Sequence, residues 1–373
     1  MRILFIQTNY PAFLKDLYHK YPNWGNYSYQ KLMELWAAEC FGSSNFYSKS
    51  LTKYGWEGKE IVANDKNSQF LWARKNNIKT DFFFDRILKY LPPFLKNCIN
   101  LVDRWIPTII LKQIEEFKPD VIYLFHLGLF SISDLKKIKN HTQLLVGQIA
   151  SPLPKNELLL KQFDLIISSF PHFVNQFKSL GIKSEYLKWC VEKDILKNIG
   201  ERKRKYDISY VGAFTPHHSM GNKIMEKAAA EVKINFWGYG DNLLSPTSRI
   251  KKSFRGRAWG KKMYEIFASS KIVLNRHIDV SENYANNMRM YEATLMGSLL
   301  LTDEKSNMDE FFKVGREVVT YSDAEDLVKK AKYYLKHERE REKIALAGQK
   351  RTLKDHTYDA RMSELDKILR KYL

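Results

Sequence analysis

The chain has 373 residues, 44% of them hydrophobic and 14% aromatic, and a formal net charge of +19. That length exceeds one ordinary core and suits two domains of ~150–200 residues, while the apolar content excludes extended disorder. No run reaches the ~18 apolar residues of a membrane span.

The N-terminal MRILFIQTNYP breaks into polar residues and Pro11 without a small-residue cleavage site, so it reads as a first buried strand, Arg2–Gln7, and not as a signal peptide. Further short β-rich runs follow at Glu60–Ala63, Asp120–Phe125, Leu144–Ile149, Asp164–Ser169 and Glu185–Cys190. Helical patterns at Ser28–Tyr47 and Ile109–Phe117 separate several of them. The polar, glycine-containing stretch between Asp194 and Tyr206 reads as a linker. A second series then runs through Asp207–Val211, Lys233–Trp237, Lys271–Asn275, Ser298–Thr302 and Glu317–Tyr321. Ser322 to Glu325 reads as a capping box for a helix Asp323–His337. The expected partition is a domain over 1–195, a linker over 196–205 and a second domain over 206–357. A last helix, 358–373, packs its apolar stripe on the first domain. The expected fold is α/β, two Rossmann-like doubly wound domains facing a cleft, with ligands beyond the carboxyl ends of the strands.

Cys40, Cys98 and Cys190 are odd in number, widely spaced and set among apolar neighbours. They read as reduced core thiols of a cytoplasmic protein, without disulfide or zinc spacing. The charge predicts an anionic partner: nucleic acid, an acidic membrane face or a phosphorylated small molecule. Acids interleave with the basic residues of helices such as 323–351, and no helix-turn-helix, zinc-finger or RNP signature occurs, so no nucleic acid is expected.

The segment Asn286–Gly297 carries the most chemistry. Asn286 or Asn287 caps a helix that Gly297 closes in a left-handed conformation. The free amides of its first turn, with the helix dipole, make an anion site. Arg289 adds a grip on a diphosphate, and Glu292, one turn on, accepts from both hydroxyls of a ribose. The competing reading is an i,i+3 ion pair between Arg289 and Glu292 on a solvated face.

The pattern Glu292-Ala293-x-x-x-Gly297 followed by an apolar strand resembles the donor-binding helix of GT-B glycosyltransferases. The longer reading, Tyr206 to Arg361, resembles their CgeB-like (spore maturation protein) branch. It does so through YDISYVGAFTPHH at 206–218, SKIVLNRHIDV at 270–280, ANNMRMYEATLMGSLLLTDE at 285–304, FFKVGREVVTY at 311–321 and GQKRTLKDHTY at 348–358. The resemblance implies a nucleotide-sugar donor (UDP, GDP or dTDP linked), with Glu292 on the ribose. Gly212 would end the first strand of the second domain in a tight turn near phosphate, and His217 and His218 would contact the diphosphate, unless they are an ordinary polar loop pair. Gly238, Tyr239, Arg257 and Trp259 would frame the base, Trp259 reading equally as a core tryptophan. Asn275, Arg276 and His277 would face donor sugar or phosphate. Retaining relatives of this fold carry a second glutamate eight positions before the ribose-binding one; here that position is Tyr284, which leaves the stereochemistry open.

In such an architecture helix ends and basic side chains carry the leaving charge, so no metal or other cofactor is expected, and no D-x-D motif ends a strand. A general base must come from the first domain. His126, after the strand ending at Phe125, is the first choice; Asp16 and His19 are rivals, and Asn9 and Tyr10 are acceptor contacts. The acceptor is expected to be a surface polysaccharide, a glycolipid or lipid-linked glycan, or a protein, with peripheral association to the inner membrane face. A GT-B-fold sugar-nucleotide epimerase, and a non-catalytic basic surface, coat or nucleic-acid-binding protein, are the alternatives.

Overall fold

The computed structural model describes residues 1–78 and 105–373. Eleven strands form two wholly parallel sheets among these residues. The first contains β1 Arg2–Gln7, β2 Glu57–Val62, β3 Val121–Leu124, β4 Leu144–Ile149, β5 Leu165–Ser168 and β6 Ser184–Tyr186. Its order is β2-β1-β3-β4-β5-β6. The second contains β7 Tyr206–Ala213, β8 Asn235–Tyr239, β9 Ser270–Leu274, β10 Leu299–Asp303 and β11 Val319–Tyr321, in the order β11-β10-β9-β7-β8. Helices cover both faces of each sheet. The architecture is two Rossmann-like α/β units.

The near-continuous apolar runs of these strands follow from burial on both faces. Alternate residues feed different cores: Ile3, Phe5, Val121 and Tyr123 enter one, while Leu4, Ile6, Ile122 and Leu124 enter another. The first of these cores continues into the second sheet through Val211, Trp237, Val273 and Leu300. Tyr358, Met362, Leu365 and Leu369 of the helix Tyr358–Tyr372 join it. That helix lies against the first unit, with the Tyr358 ring 5.3 Å from Phe46 and from Tyr47 and Trp56 Nε1 donating to Asp366 at 2.7 Å.

Several local expectations change. The single helix over Ser28–Tyr47 is two, Tyr29–Ala38 and Phe46–Leu51, because Cys40, Gly42 and Ser44 between them take positive φ. The β6 strand stops at Tyr186, short of Cys190. The cap before Ala324–Lys336 sits one residue later than expected: Asp323 accepts from the Asp326 amide, and Asp326 accepts from the Ser322 amide. Cys40 and Cys190 are buried free thiols whose pKa burial pushes up; Cys98 lies outside the described residues. No helix among the described residues is long and apolar enough to cross a membrane.

Candidate functional site

The carboxyl ends of the two sheets face a cleft of about 360 Å³. One wall comes from loops after β1, β4 and β5 (Tyr10, Ala150, Ser151, Phe170) together with Phe41 and Trp189. The other comes from the ends of β7, β8 and β9 and the start of the helix Met288–Leu295. Two glycines let the strand ends close up. Gly238 has φ of +136°, and a Cβ there would stand 1.7 Å from the Gly212 carbonyl oxygen. Gly212 was expected in a tight turn but is still within β7; a Cβ on it would meet the Tyr210 hydroxyl at 2.3 Å.

That hydroxyl belongs to the main electrostatic feature of the wall. Arg276, 5% exposed, donates from Nε to Tyr210 Oη at 2.9 Å and from Nη1 to the His218 carbonyl at 2.6 Å. Its Nη2 donates to the Ala213 carbonyl and to Asn222 Oδ1, both at 2.7 Å. Every one of these acceptors is neutral, and among the described residues no carboxylate pairs with the guanidinium. A buried cation without a counter-charge is costly unless an anion arrives. Gly221, in the helix Ser219–Ala228, backs the side chain; a Cβ on it would meet Arg276 Cδ at 2.4 Å. Burial and the adjacent Arg276 charge lower the His218 pKa to about 4, so its imidazole is neutral. Its Nδ1 lies 3.0 Å from Thr215 Oγ1. His217 is exposed and lies outside the cleft wall.

Beside Arg276 begins the helix Met288–Leu295. Of the two asparagines, Asn287 is the cap: its Oδ1 accepts from the Met290 amide at 3.2 Å, and its Nδ2 donates to Asn275 Oδ1 and the Arg276 carbonyl, both at 3.1 Å. Asn275 itself is buried and donates to Thr302 Oγ1. Asn275 thus positions the cap and also lines the cleft. The amides of Met288 and Arg289 stay free for an anion. Gly297 closes the helix with φ of +66°.

Arg289 does pair with Glu292, yet not on a solvated face: the Glu292 side chain is 3% exposed and Arg289 26%. Tyr264 Oη donates to Glu292 Oε1 at 3.3 Å. Both residues line the cleft.

His277, expected to face the donor, is turned away, its side chain 1% exposed. Its Nδ1 bonds Asp303 Oδ1 at 2.7 Å, and its Nε2 accepts from the Asn286 amide at 3.2 Å. Burial would raise the Asp303 carboxyl, but His277 and Lys305 outweigh it and hold the pKa at about 2. Asn286, at a φ of 136°, accepts from the Trp189 amide and from Tyr291 Oη and donates to the Ser169 carbonyl. This chain of bonds fixes the helix start against both units.

An aromatic shelf closes one end of the cleft. Tyr10 packs on Tyr239 at 4.8 Å and on Trp259 at 6.0 Å, and Tyr239 stacks on Trp259 at 5.5 Å. Trp259 is both wall and packing residue, its indole edge-on to Phe41 at 5.0 Å. Its Nε1 donates to Asp16 Oδ2 at 2.8 Å, and Arg257 pairs with Asp16 Oδ1 at 2.8 Å. Asp16 and Arg257 therefore tie the two units together, and neither is among the residues that line the cleft.

Of the other first-unit residues, Asn9 accepts at Oδ1 from Trp36 Nε1 at 2.6 Å, while its backbone N–H and carbonyl exchange bonds with the Asn64 side chain. His19 is exposed in the last turn of Pro11–Lys20, away from the cleft. His126 follows β3, between the cleft loops of β1 and β4; it is exposed, and its ring has no hydrogen-bond partner among the described residues. Partial desolvation of the ring lowers its pKa, and His126 is not among the residues that line the cleft. Tyr284 stacks on His172 of the first unit at 5.2 Å and 15°, filling a contact between units with an aromatic. Sequence reading missed Tyr210, Gly221 and Asp303, which hold Arg276 and His277 in place; a glycine inside a helix was the one available signal.

Residues 218–367 match the family model described as glycosyl transferase-like. No curated protein matches the chain significantly. Among solved structures, HepE of Anabaena in complex with UDP-glucose is similar at a TM-score of 0.60 and 12% identity, over 100% of both chains. A glycosyltransferase from Rickettsia africae is similar at 0.58 and 13%, over 100% of this chain and 98% of that one. Sucrose-phosphate synthase from Thermosynechococcus elongatus is similar at 0.60 and 10%, over 100% and 98%. The solved structures identify the GT-B fold; with the family match to the second unit, they support a glycosyltransferase.

Proposed function

We propose that the chain, with its glycosyl transferase-like unit in a GT-B fold, moves a sugar from a UDP-, GDP- or dTDP-linked donor to a hydroxyl of a glycan, lipid-linked or protein acceptor. The observation that carries this reading is Arg276, a buried guanidinium without a carboxylate partner beside two free helix amides in an interdomain cleft. In this reading the diphosphate supplies the missing counter-charge, and Glu292 takes the ribose. The shelf of Tyr10, Tyr239 and Trp259 holds the base.

The acceptor oxygen bonds the anomeric carbon as the bond to the diphosphate oxygen breaks, and the electron pair leaves with the diphosphate. Arg276 and the helix amides stabilise that developing charge, and no metal is required. His126 receives the acceptor proton in an inverting course. The resemblance of 206–361 to the CgeB-like pattern supports a place in that branch. Buried free thiols and a nucleotide-sugar donor support a cytoplasmic location.

A panel of nucleotide sugars with candidate acceptors tests the activity. Free nucleotide is expected to appear with one donor only when acceptor is present, with EDTA making no difference. His126→Asn is expected to lower kcat by ~10²–10⁴-fold at unchanged donor affinity. Nucleotide binding without release under any pairing would leave a binding protein and reject the transfer reading.

A further inference from the structure

The net charge of +19 is not spread evenly. Between Arg249 and Lys262 seven of fourteen residues are Lys or Arg and none is acidic. The segment runs along β8, the edge strand of the second sheet: the Arg255 amide donates to the Phe236 carbonyl, and the Gly238 amide to that of Gly256. It ends at Trp259, on the cleft wall. Basic residues elsewhere are commonly neutralised, as in Lys49–Asp194, Lys139–Asp164 and Lys271–Asp207. Here only Arg257 has a carboxylate partner among the described residues, Asp16.

Stability does not explain the arrangement. Lys261 and Lys262 occupy the first turn of the helix Gly260–Ala268, which has no acid there, so both stand at the positive end of its dipole. Shielding an edge strand takes a charge or two, not seven. A large apolar side chain stands out just before the segment: Leu243, after β8, is 59% exposed. Cations beside a protruding apolar residue form the two-part pattern of a surface that enters a lipid interface. A polyanion in solution would engage the cations and leave Leu243 unused.

We propose that this edge of the second unit docks on an anionic lipid surface, with Leu243 entering the headgroup layer and the 249–262 stripe on the lipid phosphates. The docked edge sets the cleft mouth beside the bilayer, where a lipid-linked acceptor would present its hydroxyl. The docking does not depend on the transfer reading; the acceptor inference does.

Cosedimentation of the full chain with vesicles tests it. The protein is expected to bind 7:3 phosphatidylcholine:phosphatidylglycerol vesicles in a salt-sensitive manner and to ignore pure phosphatidylcholine. The variant K251E/K252E/K262E, which touches no cleft residue, is expected to lose about two orders of magnitude in partitioning at unchanged UDP affinity. Leu243→Ser is expected to weaken vesicle binding and leave retention on heparin unchanged. No binding to the anionic vesicles, equal binding by the triple variant, or heparin binding without vesicle binding would overturn the proposal. The UDP arm separates failure of docking from failure of the donor site.

Discussion

Glu292 already has its carboxylate divided between Arg289 and Tyr264, so a ribose must share it or displace one of them. Replacing it therefore acts on the nucleoside and not on the diphosphate. Glu292→Ala is expected to weaken UDP by ~1–3 kcal/mol through lost charge-assisted bonds, with pyrophosphate affinity unchanged or raised because Arg289 is released. Equal losses for both ligands in calorimetry would remove Glu292 from the ribose. The residues around it show what a sequence conceals at this scale. Arg276, Asn275 and His277 were all legible as polar groups at a strand end. All three line the cleft, and Arg276 is the one that carries a charge without a carboxylate partner among the described residues. Asn275 spends its amide on Asn287 and Thr302, and His277 spends its ring on Asp303 and Asn286, because buried polar groups must be bonded. Which of the three keeps spare bonding capacity depends on Tyr210, Ala213, His218 and Asn222, all more than fifty positions away.

At the scale of elements, the parallel strands were readable because burial on both faces leaves unbroken apolar runs. The helix expected over Ser28–Tyr47 was not, since positive φ at Cys40 and Ser44 falls on residues that seldom adopt it. The basic segment 249–262 was overlooked for a related reason: its residues change from a helix to an extended edge and back, so no single period exposes them. Gly221 shows how an element can be shaped for a site. An alanine in a helix is favoured over glycine by ~1 kcal/mol, yet a Cβ at 221 would collide with Arg276 Cδ and Nη1. Gly221→Ala is expected to keep or raise the melting temperature while UDP affinity falls about tenfold, on the order of one displaced charge-assisted bond. A fall in both would mean that the helix, and not the arginine, had been disturbed.

Across the whole molecule the two units are tied at several points around the cleft. Asp16 holds Trp259 and Arg257; Gly260 fits against the Glu39 carbonyl, 1.8 Å from where a Cβ would stand. Tyr284 stacks on His172, and the helix Tyr358–Tyr372 extends one core under both sheets. The two-domain pattern and the anionic-ligand reading were visible in length and charge, but the joints were not: they pair residues from distant parts of the chain. The account stands or falls on the cleft binding a nucleoside diphosphate through Arg276. Titration of UDP, GDP and dTDP into the wild-type chain and into Arg276→Gln tests this most directly. At least one nucleotide is expected to bind, with affinity reduced ~100-fold or more in the variant at native circular dichroism. Failure of all three to bind, or equal affinity in the variant, would contradict it.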